Sequence, residues 1–161
     1  MSKGVGDRRR SREYTLQLLF QLDLAPAELE GAVEAFWSDK QVAEPVRQFA
    51  ELLVFGTMER RDAIDEILAR SAFHWRVSRM AVVDRNILRM AVYELLFQPE
   101  TPKVVVIDEA IEVAKKFGND ESGPFVNGIL DAIRIKLESG ELAAPVEQAS
   151  AAPAPPRGST Q

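Results

Sequence analysis

Apolar residues recur along most of this chain at spacings of three and four, the pattern of amphipathic helices. The pattern is clearest between residues 102 and 135, where it predicts two helices joined by a short polar turn. The first helix carries its stripe from Ile107 to Phe117, and the second from Val126 to Leu137. Gly118 is predicted to end the first helix in the left-handed conformation that glycine adopts without steric cost.

Ser122 and Pro124 mark the start of the second of these helices. Serine is a favoured N-cap, and proline is tolerated in a first turn, where its missing N–H costs little. Phe125 follows directly and, at about 100° per residue, sits roughly a quarter-turn off the apolar stripe. The apolar stripe does not explain an aromatic residue at this position, beside a polar turn.

The same periodicity predicts further helices in the preceding part of the chain. One starts in the arginine-rich segment and ends at Pro26, and the others cover about 28–37, 42–69 and 80–97. Gly56 weakens the longest of them by about 1 kcal/mol relative to alanine. It therefore predicts either a break or a site of close helix packing.

The predicted fold is all-α, with two small helical bundles packed together and about six to seven helices. We expect one domain over residues 1–140, with an N-terminal half at about 8–71 and a C-terminal half at about 78–140. Residues 141–161 lose all periodicity and are rich in alanine and proline, which predicts a disordered tail. In the link between the halves, Trp75 is expected in the core or as a wedge, and His74 as a structural or surface residue.

The amino-acid composition limits the cellular compartment and the side-chain chemistry expected of this protein. The chain has 161 residues, 46% of them apolar, which is enough for one core. The absence of cysteine excludes a disulfide scaffold and thiolate chemistry. No signal peptide opens the chain and no apolar run is long enough to cross a bilayer, so a cytoplasmic protein is expected.

Charge is distributed unevenly along the sequence. Residues 1–12 carry a local charge of +4, which leaves −9 for the rest of a chain whose net charge is −5. Arginine pairs with phosphate through two parallel hydrogen bonds, and its planar head stacks on bases. A concentrated basic end on an acidic body indicates a localised anionic partner. A merely solvated basic terminus is the alternative.

No catalytic constellation is present in the sequence. There is no Walker loop, serine elbow or HExxH motif. Asp108, Glu109 and Glu112 place three carboxylates on one helix, but no histidine or second acidic helix accompanies them. A solvated helix face is therefore expected there rather than a metal or acid–base site. We expect that the chain is not an enzyme and needs no cofactor or metal.

Four segments resemble the NusB family of bacterial transcription antitermination factors. They are RRRSREYTLQLLFQLD, VVDRNILRMAVYEL, PKVVVIDEAIEVAKKFG and SGPFVNGILDAI, which lie in this order between about Arg8 and Leu137. The resemblance implies an all-helical fold that binds boxA, a single-stranded segment of ribosomal RNA leader transcripts. It implies a heterodimer with NusE, the tenth protein of the small ribosomal subunit. That pair is expected to act in an antitermination complex on RNA polymerase.

The resemblance also assigns the RNA-facing positions. These fall on Arg8, Arg9, Arg10, Arg12, Glu121, Ser122 and Phe125. The chain departs from the family pattern at Asp108, where asparagine is usual, and at Gly123 and Pro124, where basic or polar residues are frequent. Both aromatic stacking and arginine–phosphate contacts are what single-stranded RNA requires.

The NusE-binding surface is expected on the C-terminal half, where Asp84 matches an acidic position of the family. Tyr93 and Glu94, on the same predicted helix, are candidates for a partner-facing side, with an ordinary helix rim as the alternative. Two other functions are weighed against the RNA-binding adaptor. One is a protein-interaction adaptor whose basic arm binds an acidic protein, and the other is a fragment of an RNA cytosine methyltransferase, to which similar domains are fused. Whether the free protein is a monomer or a homodimer stays open.

Overall fold

Seven α-helices and one short 3₁₀ turn make up the computed structural model, which describes residues 3–72 and 75–143. In chain order they are α1 (Lys3–Leu24), α2 (Leu29–Trp37), α3 (Glu44–Glu59), α4 (Arg61–Ser71), the 3₁₀ turn (Val77–Arg79), α5 (Val82–Phe97), α6 (Lys103–Phe117) and α7 (Ser122–Ser139). These helices confirm the predicted all-α fold. The prediction for His74, and that for the tail from residue 144 onward, lie outside the described residues.

Helix α5 is the centre of the fold, because it is buried along most of its length. Every residue from Asn86 to Phe97 is buried, and α1, α3, α4, α6 and α7 all pack against this helix. The larger hydrophobic cluster therefore contains residues from both predicted halves, such as Leu16 and Leu130. A smaller cluster joins α2 to α1 and α3. The division into two halves stays a prediction.

Small polar residues hold α1 close against α3. The Ser11 hydroxyl donates to the Val46 carbonyl oxygen at 2.8 Å, and the Thr15 hydroxyl donates to that of Ala50 at 3.3 Å. Both hydroxyls are buried, so these bonds satisfy groups that would otherwise be costly to bury. As a consequence, the arginine-rich segment is part of α1 and is held on the body of the protein.

Two helices replace the single one predicted over residues 42–69. The break falls at Arg60, whose φ of −112° and ψ of 21° interrupt the helix between α3 and α4. Gly56 lies inside α3, where a Cβ atom would overlap the ring of Tyr93. Of the two predicted roles for Gly56, close helix packing is therefore the one observed.

The turn between α6 and α7 differs in detail from the prediction. Gly118 ends α6 in an extended conformation, with φ −100° and ψ −158°, and not in the left-handed one. A side chain at Gly118 would overlap the Ser122 hydroxyl, which explains the need for glycine. Ser122 is the first residue of α7 and not its N-cap, while Pro124 lies in the first turn as predicted.

Candidate nucleic-acid interface

The exposed cations of α1 lie in its first three turns. Arg8 and Arg10 are both exposed, and neither forms an ion pair with a carboxylate of the described residues. The Arg8 guanidinium lies 3.8 Å from the centroid of the Phe49 ring, and an Arg10 nitrogen donates to the Tyr14 hydroxyl at 3.2 Å. These contacts orient the two heads and leave most of their donors available to an anion.

Arg9 is already engaged with a carboxylate. Its Nε and Nη2 donate to the two oxygens of Glu109 on α6 at 2.9 and 2.8 Å, and 45% of the Arg9 side chain stays exposed. The Arg9 hydrogen bond holds the pKa of Glu109 below its ordinary value, and Glu109 in turn raises the pKa of Arg9. Glu109 was expected on a solvated face, but it is buried against α1. A phosphate must therefore share Arg9 with Glu109.

Arg12 lies in the interior, which corrects its predicted place on the RNA-facing surface. Its Nε and Nη2 donate to the carboxylate oxygens of Glu94 on α5 at 2.9 and 2.6 Å. The side chains of Arg12 and Glu94 are only 4% and 1% exposed. Glu94 was predicted to face a partner, and the structure instead gives it this internal ion pair. Both residues hold α1 onto α5.

The turn before α7 presents Glu121 and Phe125. Glu121 is exposed, and its N–H donates to the Asn119 side-chain oxygen at 2.8 Å. Ser122 is buried, because its hydroxyl accepts the Asn119 N–H at 3.0 Å and closes the turn. Ser122 thus positions the turn and does not face the solvent. Phe125 is half-buried at the edge of the larger hydrophobic cluster.

Trp75 lies beside Phe125 and is not part of the core. Its side chain is 54% exposed, which makes the expected core or wedge position wrong. The two rings meet edge to face, with centroids 5.7 Å apart and planes 78° apart. Sequence reasoning missed this residue as a candidate. The sequence signal for an exposed Trp75 was the RVSR segment that follows it, because this segment is too polar for a core element.

Helix α6 links the basic end of α1 to the turn that precedes α7. Arg9 contacts Glu109, and Lys116 contacts Glu13, one turn further along α1 and about two turns further along α6, which ends at Phe117. The separation of eight positions between Glu109 and Phe117 corresponds to about 12 Å along the helix axis. A few nucleotides of extended single strand span that distance.

A separate apolar groove of about 470 Å³ lies where α1, α5 and α6 meet. Phe20, Leu24, Val83 and Phe117 are among its lining residues, and Leu24 is 61% exposed. Asp84 follows Val83 directly and is buried, and its Oδ1 has no hydrogen-bond partner among the residues that the structure describes. An apolar groove with an exposed leucine is a feature of a surface that another molecule covers. The Asp84 Oδ1 is buried and does not line this groove.

Tyr93 lies at the packed centre, which corrects its predicted place on a partner-facing side. Its ring covers Gly56 and stacks on Phe97 with centroids 5.2 Å apart. Arg85 and Arg89 of the same helix bind Asp23 of α1, with N–O distances of 2.9 and 3.2 Å. Helix α5 has no open face here, because other helices surround it.

Within residues 3–72 and 75–143, no group of three or more histidine, aspartate or glutamate side chains is arranged to hold a metal ion. None of the described helices combines the length and apolar character needed to span a membrane. What the fold does present is a basic helix end, an exposed aromatic pair and an apolar groove. These features define an all-helical binding protein.

Comparison with known proteins identifies the family. The NusB family matches residues 9–134. A transcription antitermination protein NusB from Myxococcus xanthus is 43% identical over 138 residues, which cover 83% of this chain and 98% of the relative. The chain belongs to the NusB family. Because its relatives are antitermination proteins, the prediction that the chain is not an enzyme is confirmed.

Solved structures agree with this assignment. NusB from T. maritima superimposes with a TM-score of 0.74 at 39% identity, covering 88% of this chain and 95% of that one. A structure of the antitermination factors NusB and NusE in complex with double-stranded RNA gives a TM-score of 0.72 at 26% identity, covering 79% of this chain and 95% of the matched one. The predicted family and helical architecture are both confirmed.

Proposed function

We propose that this protein binds boxA RNA of ribosomal RNA transcripts together with NusE and thereby supports antitermination. The observation that carries the proposal is family membership over residues 9–134, in a chain whose first helix exposes Arg8 and Arg10 and whose Phe125 is half-exposed at the start of α7. A solved family neighbour holds NusE and RNA at once. The same proposal places the chain in the cytoplasm, in an antitermination complex on RNA polymerase.

Arg8 and Arg10 are the proposed phosphate contacts, because both heads are exposed and free of carboxylates. Arg9 contributes in part, since it is shared with Glu109. Arg12 and Ser122 act from the interior, where they keep α1 and the α6–α7 turn in place. The surrounding body is acidic, so the affinity of this chain alone is expected to be modest and sensitive to salt.

Phe125 is the proposed base-stacking residue of the turn. Its half-exposed ring lies at the start of α7, directly after the turn that follows α6. Stacking of a base on an aromatic ring contributes about 1–3 kcal/mol. Glu121, exposed beside it, repels phosphate and accepts hydrogen bonds from base amino groups. We infer that bases, and not phosphates, lie at this turn.

NusE is the proposed occupant of the apolar groove beside Asp84. The groove offers the exposed Leu24 side chain, and Val83, the residue before Asp84, forms part of its wall. A basic ribosomal protein complements the acidic body of this chain. Leu24→Glu is expected to weaken NusE binding strongly and to leave the unfolding free energy nearly unchanged, whereas Leu52→Glu, at another exposed leucine, is the control.

Binding to matched and scrambled boxA RNA tests the proposal. The chain with NusE should prefer the matched RNA at physiological salt, and the double variant Arg8→Ala with Arg10→Ala should lose affinity and reduce the salt dependence. Each phosphate contact removed lowers the slope of log K against log salt by about 0.7 for a single strand. Arg61→Ala, which removes an exposed arginine at the start of α4, should change neither quantity. Equal affinity for both RNAs, with and without NusE, refutes the proposal.

The alternative is an adaptor whose basic helix end binds an acidic protein. It is distinguished by recovering partners from cells with and without nuclease treatment, since partners bridged by RNA disappear. Analytical ultracentrifugation of the free chain and of its mixture with NusE decides between a monomer and a homodimer. A homodimer that NusE dissociates would indicate that both use the groove.

A further inference from the structure

We propose that Trp75 is a second base-stacking residue of the RNA-binding surface, adjacent to Phe125. This inference rests on the proposed function and adds a residue to its RNA site. Burial of a tryptophan side chain stabilises a fold strongly, because the side chain is large and mostly apolar. More than half of the Trp75 side chain is nevertheless exposed to solvent. The exposed ring lies against Phe125, so the two aromatic residues form one continuous surface.

The segment that carries Trp75 is anchored, although the ring is exposed. The Trp75 N–H donates to the Ala72 carbonyl oxygen at 2.8 Å, directly after α4. Further along, Met80 is buried in the core, and Arg85 of α5 donates to the carbonyl oxygens of Val77 and Ser78 at 3.2 and 3.3 Å. The ring is therefore presented from a fixed backbone. Such preorganisation lowers the entropy lost on binding.

The geometry of the aromatic pair fits a single strand better than a duplex. The two ring planes stand 78° apart, so bases stacked on them cannot remain parallel to each other. Single-stranded RNA is recognised through splayed bases, each stacked on its own aromatic or guanidinium plane. We infer that Trp75 and Phe125 hold two different bases and turn the strand between them.

The charges around Trp75 favour RNA and limit its path. Arg76 and Arg79 are exposed, and neither is paired with a carboxylate of the described residues. On the side of α4, however, Asp62 and Glu66 line the adjoining depression together with Arg76. These carboxylates repel phosphate, so the strand is directed from Trp75 towards Phe125 and the α6–α7 turn and not across α4.

The first test measures RNA affinity of the chain with NusE. Trp75→Ala should weaken binding of boxA RNA by about 5- to 100-fold, the range expected for one stacked base. Trp75→Phe should retain most of the affinity. The salt dependence should be unchanged, because no charge is removed. Ile135→Ala, which truncates a similarly exposed apolar side chain on α7, should leave the affinity within twofold.

The second test separates direct stacking from support of Phe125. The affinities of a set of boxA RNAs, each lacking one base, are measured for the unmodified chain, for Trp75→Ala and for Phe125→Ala. Each variant should be indifferent to the loss of one particular base, and the two bases should differ. If both variants point to the same base, Trp75 only holds Phe125 and the inference is wrong.

A spectroscopic signal reports the contact itself. The chain contains two tryptophans, of which Trp37 is buried, so 5-fluorotryptophan labelling gives one resonance from each. The variant Trp37→Phe assigns them, and it loses no hydrogen bond because the Trp37 Nε1 has no partner in the described structure. Matched RNA should shift the Trp75 resonance and leave that of Trp37 in place.

The outcomes separate this inference from the function on which it rests. If the unmodified chain prefers matched RNA but Trp75→Ala binds it equally well, the inference fails and the proposed function stands. If Trp75→Ala lowers affinity for NusE in the absence of RNA and not for RNA, Trp75 contacts protein and the inference also fails. If the unmodified chain shows no preference for matched RNA, both are refuted.

Discussion

The buried pair of Arg12 and Glu94 offers the sharpest test of how the basic helix end is built. Arg12→Leu removes the only strong partner of a carboxylate that is 1% exposed. Among the described residues, the ion pairs give Glu94 no second cation. Breaking one partner of a buried pair costs about 3–5 kcal/mol, because the other charge is left uncompensated.

The double variant Arg12→Leu with Glu94→Leu should be far less destabilised than Arg12→Leu alone. Replacing both charges by apolar groups removes the Arg12–Glu94 pair, and such replacements are often neutral or stabilising. Glu109, whose Oε1 lies 3.8 Å from Arg12, keeps its two hydrogen bonds to Arg9. The single variant should lower the melting temperature by about 10–20 °C for a domain of this size, whereas the double variant should recover most of that loss. Urea unfolding at pH 7 gives both free energies, and the double-mutant cycle gives the coupling.

The same variants decide what Arg12 does for RNA. If Arg12 acts only from the interior, the folded double variant binds boxA RNA with the salt dependence of the unmodified chain. A fall in that slope of about 0.7, half of that expected for the Arg8 and Arg10 variant, would show that Arg12 leaves Glu94 to bind phosphate. If Arg12→Leu lowers the free energy of unfolding by less than about 1 kcal/mol, the argument that Glu94 is left as an uncompensated buried charge is refuted.

Two further predictions concern packing and pH. Gly56→Ala should destabilise the fold by about 1–3 kcal/mol, because the new methyl group overlaps Tyr93. Gly128→Ala, where the space is open, should instead stabilise α7 by about 0.5–1 kcal/mol. Urea unfolding measures both free energies. Because the folded pKa of Glu109 lies below its ordinary value of 4.5, its contribution is complete above that pH and is lost as pH falls through the folded pKa. Glu109→Gln should therefore flatten the acid limb of the stability curve, and an unchanged limb would contradict the role of its pair with Arg9.

Much of the fold was predictable because local pattern decides it. Helical spacing of apolar residues located α2, α5, α6 and α7, and the polar turn between the last two appeared where expected. The position of the break in residues 42–69 was not predictable from Gly56, because a glycine that admits a neighbouring ring and a glycine that breaks a helix look alike in sequence. The ring of Tyr93 distinguishes them, and it belongs to another helix.

The features of the candidate site were likewise predictable from the sequence only in part. The sequence by itself determined the family, the helical elements and the presence of a basic segment and an off-stripe Phe125, since these are properties of residue type and spacing. Only the tertiary structure decided which charges are available. Arg8 and Arg10 stay exposed while Arg12 is buried, because α1 places one side against α5, whose Glu94 is more than 80 residues away along the chain. Trp75 is exposed for the converse reason. The Arg85 side chain of α5 holds its segment through the backbone carbonyl oxygens of Val77 and Ser78, which leaves the ring outside, against Phe125.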